Sequence, residues 1–273
     1  LSINYITCCN TFLNVITTYS IKNRFNVFYT VLVTVIFLER WQINEVRIKI
    51  FIKMITITNE CNMELMKRYE DNYFDLAIVD PPYGIGAGLG SGRNQKKDIK
   101  SGKMKGSDWD NETPKKEYWD ELFRVSKNQI VWGGNYMTSF LKESKGWIFW
   151  DKIQVSDNHS DGELAWTSFE KRLRMFKYCW SGNRYGFEGS IEGVGKKSIR
   201  IHPTEKPVKL YEWILDEYSK EGQKILDTHL GSGSIALACH NRGFELIACE
   251  LDTDYYKNAL KRLKTHQQQL TMF

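Results

Sequence analysis

No methionine precedes Met54 in this 273-residue chain, no Cys-x-x-Cys pair occurs anywhere, and no apolar run reaches membrane-spanning length. Each absence excludes something. The six cysteines (Cys8, Cys9, Cys61, Cys179, Cys239, Cys249) do not group with the five histidines at zinc-ligand spacing, so a zinc site is not expected. A chain of this length needs no disulfide framework, and the thiols read as reduced, mostly buried groups of a cytoplasmic protein. The apolar-leaning run Val27 to Leu38 has twelve residues with two threonines inside it, well short of the ~20 a transmembrane helix requires. It has Lys22 and Arg24 ahead of it, as a signal peptide would, but no clear small-residue cleavage site follows. A strong basic excess is missing too. The net charge is +5, but residues 1–53 carry six Lys/Arg against two Glu, and the 32 basic and 31 acidic side chains downstream nearly cancel. A nucleic-acid surface must therefore come from local clustering.

The first 53 residues differ from the rest, being rich in Ile, Thr, Asn, Phe and Tyr. They read either as a buried strand or helix or as an upstream extension of a reading frame that starts at Met54. From Met54 the pattern becomes regular. Met54 to Thr58 alternates like a strand, and Cys61 to Tyr69 reads as a helix. Tyr73 to Val79 is nearly continuous in apolar residues, as expected of a strand buried on both faces. Residues 84–108 form a Gly/Lys/Ser-rich stretch expected to be a mobile loop. A helix over Tyr118 to Val125 follows, then strands over Gln129–Trp132, Trp147–Trp150 and Leu164–Thr167, with a further one over Met175–Trp180. The C-terminal part alternates: a helix after Pro207, a strand over Lys224–Asp227, a helix from Ser234 to Asn241, a strand over Phe244–Cys249 and a helix over Asp254–Lys264. Strands alternating with helices imply a doubly wound α/β sheet.

Three segments carry candidate chemistry. Asp80-Pro81-Pro82-Tyr83 directly follows a buried strand, and two prolines cannot continue a ladder, so the tetrapeptide is a rigid loop. An exocyclic amine on adenine or cytosine is a poor nucleophile because its lone pair is delocalised into the ring. A carboxylate (Asp80) and a backbone carbonyl (Pro81) accepting its two N–H bonds favour a pyramidal nitrogen, and Tyr83 can stack on the base. The second segment, Asp227-Thr-His-Leu-Gly231-Ser-Gly233, opens a helix. The next strand ends in Glu250. The glycines admit close backbone approach of a ligand, and an acid at that strand end suits ribose hydroxyls. Ala236 takes the last glycine place of G-x-G-x-x-G, a tolerated variant in dinucleotide sites; the alternative reading of this segment alone is a Gly-containing turn with a surface Glu. The third, His202-Pro-Thr-Glu-Lys-Pro207, opens a helix where Thr204, the helix N-terminus and Lys206 can meet a carboxylate. Alone it reads equally as a cap.

Together, in this order and with Gly133-Gly134-Asn135 and Trp147–Asp151 between them, these segments resemble the N4/N6 amino-methyltransferases of DNA, in the permuted β group. The resemblance covers about Met54 to Leu263. It implies a Rossmann-like S-adenosylmethionine-dependent methyltransferase fold, a doubly wound mixed sheet with a small target-recognition insertion near residues 169–200. It also implies that Asp80, Pro81, Pro82 and Tyr83 hold the target base. Asp227, Gly231 and Gly233 would border S-adenosylmethionine, Glu250 would bind its ribose, and Thr204 and Lys206 would lie near its methionine end. Methyl transfer would be direct, with no metal and no cysteine nucleophile. The family's cofactor motif is usually Asp-Pro-Phe. Here it is Asp227-Thr228-His229, which puts the aromatic wall beside the cofactor in question. Family members acting on cytosine more often begin the tetrapeptide with Ser, so Asp80 points to N6 of adenine, with cytosine N4 the alternative. Enzymes acting on RNA or on protein glutamine usually resemble Asn-Pro-Pro-Tyr with the cofactor motif first, and this chain has neither feature. A catalytically dead DNA-binding module would not need the intact Asp80, Tyr83 and glycine pair. Double-stranded DNA is the expected partner. Its phosphates would meet the cluster containing Arg93, Lys96 and Lys97 beside the tetrapeptide, Lys171, Arg172 and Arg174 further on, and Arg184, Lys196, Lys197 and Arg200. The recognition segment is short, so a site of few base pairs, or assistance from a homodimer, is expected.

Overall fold

A computed structural model of the chain describes residues 55–85, 110–153, 160–181, 184–193 and 204–270, all within one compact unit, Lys53–Phe273. The expectations for residues 1–53, for most of the stretch 84–108, and for Arg93, Lys96, Lys97, His202, Lys196, Lys197 and Arg200 lie outside the described residues. Among those described, no helix is long and apolar enough to cross a membrane.

The core is an eight-stranded mixed sheet. Its strands are β1 (Ile55–Thr58), β2 (Leu76–Val79), β3 (Gln129–Trp132), β4 (Trp147–Asp151), β5 (Gly162–Thr167), β6 (Arg174–Lys177), β10 (Lys224–Asp227) and β11 (Glu245–Cys249), in the order β1-β11-β10-β2-β3-β5-β4-β6. Neighbours are parallel except β5, which runs antiparallel between β3 and β4. Strand β2 shows why its sequence is apolar throughout. Leu76 and Ile78 enter a core built with the helices α3 (Val208–Tyr218), α4 (Ser234–Arg242) and α5 (Thr253–Leu270). Ala77 and Val79 enter the core on the opposite face with α1 (Asn62–Met66) and α2 (Lys116–Val125). Alternate side chains on a strand face opposite ways, and both faces here are covered.

The helices follow local rules. Tyr118, Trp119, Leu122 and Val125 give α2 one buried stripe. Helix α4 ends at Gly243 in the left-handed conformation (φ +70°), where a glycine carries no Cβ penalty. One sequence expectation needs correction. Met175–Trp180 is not one strand: β6 closes the large sheet, Tyr178 donates its N–H to Asp151 O, and β7 (Cys179–Ser181) belongs to a separate antiparallel sheet with β8 (Arg184–Gly186) and β9 (Glu192–Gly193). That small sheet lies within the segment, near residues 169–200, expected to be the target-recognition insertion. Among the described cysteines, Cys179, Cys239 and Cys249 are buried thiols and Cys61 is exposed.

Candidate active site

The strand order reverses between β10 and β2. From β10 the chain winds outward to β11 on one side, and from β2 to β3 on the other. In open α/β sheets the crevice at such a switch point, beyond the C-terminal strand ends, is where ligands bind. Asp80 follows β2 there, and Asp227 ends β10. A cavity of about 720 Å³ opens at this point, lined by Asp80–Tyr83, Glu163, Thr204–Lys206, Thr228–Ser232, Glu250 and Leu251–Tyr255.

Asp80 is the centre of a charged cluster. The Tyr83 hydroxyl donates to its Oδ1 at 2.7 Å, and the Lys206 ammonium donates to its Oδ2 at 2.6 Å and to Tyr83 Oη at 3.2 Å. Lys206 is buried, with 2 % of its side chain exposed, and lies 3.1 Å from Glu163 Oε2 and 5.2 Å from the centroid of Trp132. Lys152 closes the cluster, 2.7 Å from Glu163 Oε1. Burial disfavours the Lys206 charge, but the two carboxylates outweigh it and hold the ammonium's pKa above the usual lysine value. Burial raises the pKa of Asp80, against the pull of Lys206. Glu163 is held below the usual carboxylate range despite its burial, because Lys206 and Lys152 flank it. Lys206 thus sits on the Asp80–Tyr83 tetrapeptide, a placement that the third motif did not foretell.

The tetrapeptide is fixed from outside as well. Asp110 Oδ1 accepts the N–H of Tyr83 at 2.6 Å and that of Gly84 at 3.1 Å. The Tyr83 ring stacks on half-exposed Tyr136, with centroids 5.2 Å apart and planes 17° apart. Gly133 packs beneath it: a Cβ there would overlap the Tyr83 ring, and the residue has φ +66°.

Asp227 is buried and accepts the N–H of His229 at 2.9 Å, while burial pushes its carboxyl up to about 8. Gly231 donates its N–H to Glu250 Oε2 at 2.8 Å, and Asp252 donates its N–H to Oε1 at 2.9 Å. An ionised carboxylate has about four acceptor sites, so capacity remains toward the cavity. Arg262 of α5 donates to Ser232 O at 3.0 Å and Ser234 Oγ at 3.1 Å and pairs with Glu205 at 3.1 Å, tying the glycine loop to the segment before α3. The unusual His229 is half-buried, and desolvation lowers its pKa to about 4. It bonds Asn62 at 3.0 Å and Thr228 at 2.9 Å, and Thr228 in turn bonds Tyr118 at 2.8 Å. A polar network stands where an aromatic wall was in question.

The structure gathers Asp80, Pro81, Pro82, Tyr83, Thr204, Lys206, Gly231 and Glu250 around one cavity, with Asp227 at the end of β10 and Gly233 at the start of α4 just outside its lining. It does not bring Lys171, Arg172 and Arg174 there. They lie at the start of β6, which runs parallel to β4, and the cavity is beyond the far ends of these strands. Lys171 donates to Glu217 O and lies over the Tyr218 ring, and Arg174 pairs with Glu217, at the end of α3 remote from Lys206. Sequence reasoning missed Glu163, Lys152, Asp110 and Arg262, because each is a single charged residue outside any motif.

A family model described as DNA methylase, of the N6/N4 class, matches residues 167–261. The chain is 26% identical to the type II methyltransferase M2.DpnII of Streptococcus pneumoniae, over 79% of this chain and 91% of that protein. It is 28% identical to the type II methyltransferase M.HpaI of Haemophilus parainfluenzae, over 74% of this chain and 71% of that protein. Among solved structures, the M1.HpyAVI–SAM complex aligns over 77% of this chain and 100% of its own, at 21% identity and a TM-score of 0.46.

Proposed function

We propose that this chain is a DNA methyltransferase of the N4/N6 class, whose family model and type II relatives it resembles, and that it methylates N6 of adenine in double-stranded DNA with S-adenosylmethionine as donor. The observation that carries the reading is the single cavity joining Asp80–Tyr83 to Gly231 and Glu250. The residues fit the donor. A cavity of this volume suits a nucleoside-sized ligand. Glu250 keeps acceptor capacity for ribose hydroxyls, and the left-handed Gly231 lines the cavity without a side chain. When bound, S-adenosylmethionine supplies a methyl group activated by a sulfonium.

The chain's own residues do the rest. Asp80 accepts an N–H bond from the exocyclic amine and Pro81 O accepts the other, which frees the nitrogen lone pair from the ring. Asp80 is also the acceptor for the proton the nitrogen sheds on gaining its methyl group. Because the cavity is recessed behind strand ends, the target base must leave the duplex stack at a cost of a few kcal/mol. Stacking on Tyr83, whose aromatic surface Tyr136 extends, offsets this by about 1–3 kcal/mol. An aspartate rather than a serine at the head of the tetrapeptide supports adenine. The buried thiols fit a cytoplasmic setting.

The test is to incubate the protein and an Asp80→Ala variant with labelled S-adenosylmethionine and unmethylated DNA, then digest to nucleosides. The expected label is in N6-methyladenine and is lost in the variant. Label in N4-methylcytosine would overturn the choice of base, and label in no DNA would overturn the substrate.

A further inference from the structure

The cluster around Asp80 contains two charges that the reaction as described does not use. Lys206 touches Asp80, not the glycine loop or Glu250. Its ammonium is shared between Asp80 Oδ2 at 2.6 Å and Glu163 Oε2 at 3.1 Å. Glu163 reaches it from β5, which runs antiparallel to its neighbours, and Oε2 is buried with no partner but that ammonium among the described residues. A lysine paired with Asp80 alone would fix the carboxylate but also quench it as an acceptor. A second carboxylate on the same ammonium relieves that quenching while keeping the lysine charged. Lys152, on the other oxygen of Glu163, keeps that carboxylate ionised.

Resting on the methyltransferase reading, we propose that Lys206 and Glu163 are positioning residues for Asp80: the lysine pins and ionises the carboxylate, and the glutamate tempers the lysine so that Asp80 still accepts the target amine. Lys206 thereby serves the amine side of the reaction and not the methionine end of the cofactor. The charged and titratable groups facing Asp80 are Lys206 before α3, Glu163 on β5, Tyr83 in its own turn, Tyr211 on α3 and Asp227 on β10. Of these, only Lys206 favours the ionised carboxylate by its charge, and Glu163 opposes it.

The experiment measures single-turnover methyl transfer across pH at saturating cofactor, and cofactor affinity by calorimetry, in the full chain and in Lys206→Met and Glu163→Gln. Lys206→Met is expected to slow transfer roughly a hundredfold, as misplacing a reacting group does. Its acid limb should move to higher pH, with the cofactor dissociation constant little changed. Glu163→Gln is expected to move the acid limb the opposite way, to lower pH, with cofactor affinity again unchanged. A merely structural role moves neither limb. If Lys206→Met does not fold, Glu163→Gln decides the matter by itself. Weakened cofactor binding in Lys206→Met with a normal saturated rate, or acid limbs that stay in place or move together, overturns the proposal. A parent chain that methylates no DNA overturns the underlying reading instead, and the two failures are told apart by that control.

Discussion

Asp227 illustrates how a single buried side chain can be retained against its own stability cost. Its carboxyl titrates near 8 in the folded chain, against an ordinary value of 3.8, because burial outweighs one backbone hydrogen bond. An acid whose pKa rises on folding binds more protons folded than unfolded between those two values, so stability falls as pH climbs through that window. Thermal melts of the ligand-free chain should show this decline, and Asp227→Asn should flatten it. Identical pH dependence in both chains would remove Asp227 as its source. Gly133 is the other telling residue. Gly133→Ala places a methyl group in the Tyr83 ring and a side chain at φ +66°. We expect a loss of roughly 1–3 kcal/mol in stability, from strain and overpacking, with a fall in methyl transfer as Tyr83 shifts. Denaturant unfolding with unchanged midpoint would contradict the packing argument. Asp80–Tyr83 and Gly231–Gly233 were legible in the sequence because each follows a strand and contains backbone-breaking Pro or Gly, and Glu250 because it directly follows the apolar strand after the glycine loop. Glu163 and Asp110 were not, since a lone acid 83 or 30 residues away from Asp80 in sequence is indistinguishable from a solvated surface charge until the sheet brings it alongside.

Among the elements, helix α5 does more than cover the sheet. Through Arg262 it holds the glycine loop to the Glu205 segment, so the cavity walls on two sides share one fastening. Removing it in Arg262→Met should weaken S-adenosylmethionine binding by about 1.5–3 kcal/mol, the scale of hydrogen bonds to a charged group, with helix content by circular dichroism unchanged. Calorimetry with unaltered affinity would show the fastening to be dispensable. The strands and helices of the C-terminal third were read within a residue or two at most ends, because apolar strand runs there are punctuated by Gly or Pro. The last helix extends beyond Lys264 to Leu270, where its polar sequence gave no apolar period to follow. Met175 to Trp180 failed for a different reason. Its side chains are uniformly strand-like, and only pairing partners reveal that Tyr178 is where the chain leaves one sheet for another.

For the molecule as a whole, the distribution of charge sets how DNA is met. Lys171, Arg172 and Arg174 lie away from the cavity, two of them engaged with Glu217 or Tyr218. Replacing all three by Gln should leave DNA affinity and its salt dependence nearly unchanged. Replacing Lys96 and Lys97, which follow the tetrapeptide in sequence, should flatten the log–log salt slope by about one for each phosphate no longer neutralised. Fluorescence anisotropy over a salt series reads both, and the reverse result would relocate the DNA path. The sheet order has a temporal consequence. Among the described residues, strand β1 pairs only with β11, and β11 reaches the rest of the sheet only through β10. On the ribosome, β1 is made about 190 residues before its partner. At ~5–20 residues per second it waits roughly 10–40 s unpaired. For most of that interval the turn Asp80–Tyr83 exists without the strands that complete its crevice, and the cavity lacks its Gly231 and Glu250 walls until β10 and β11 have been made.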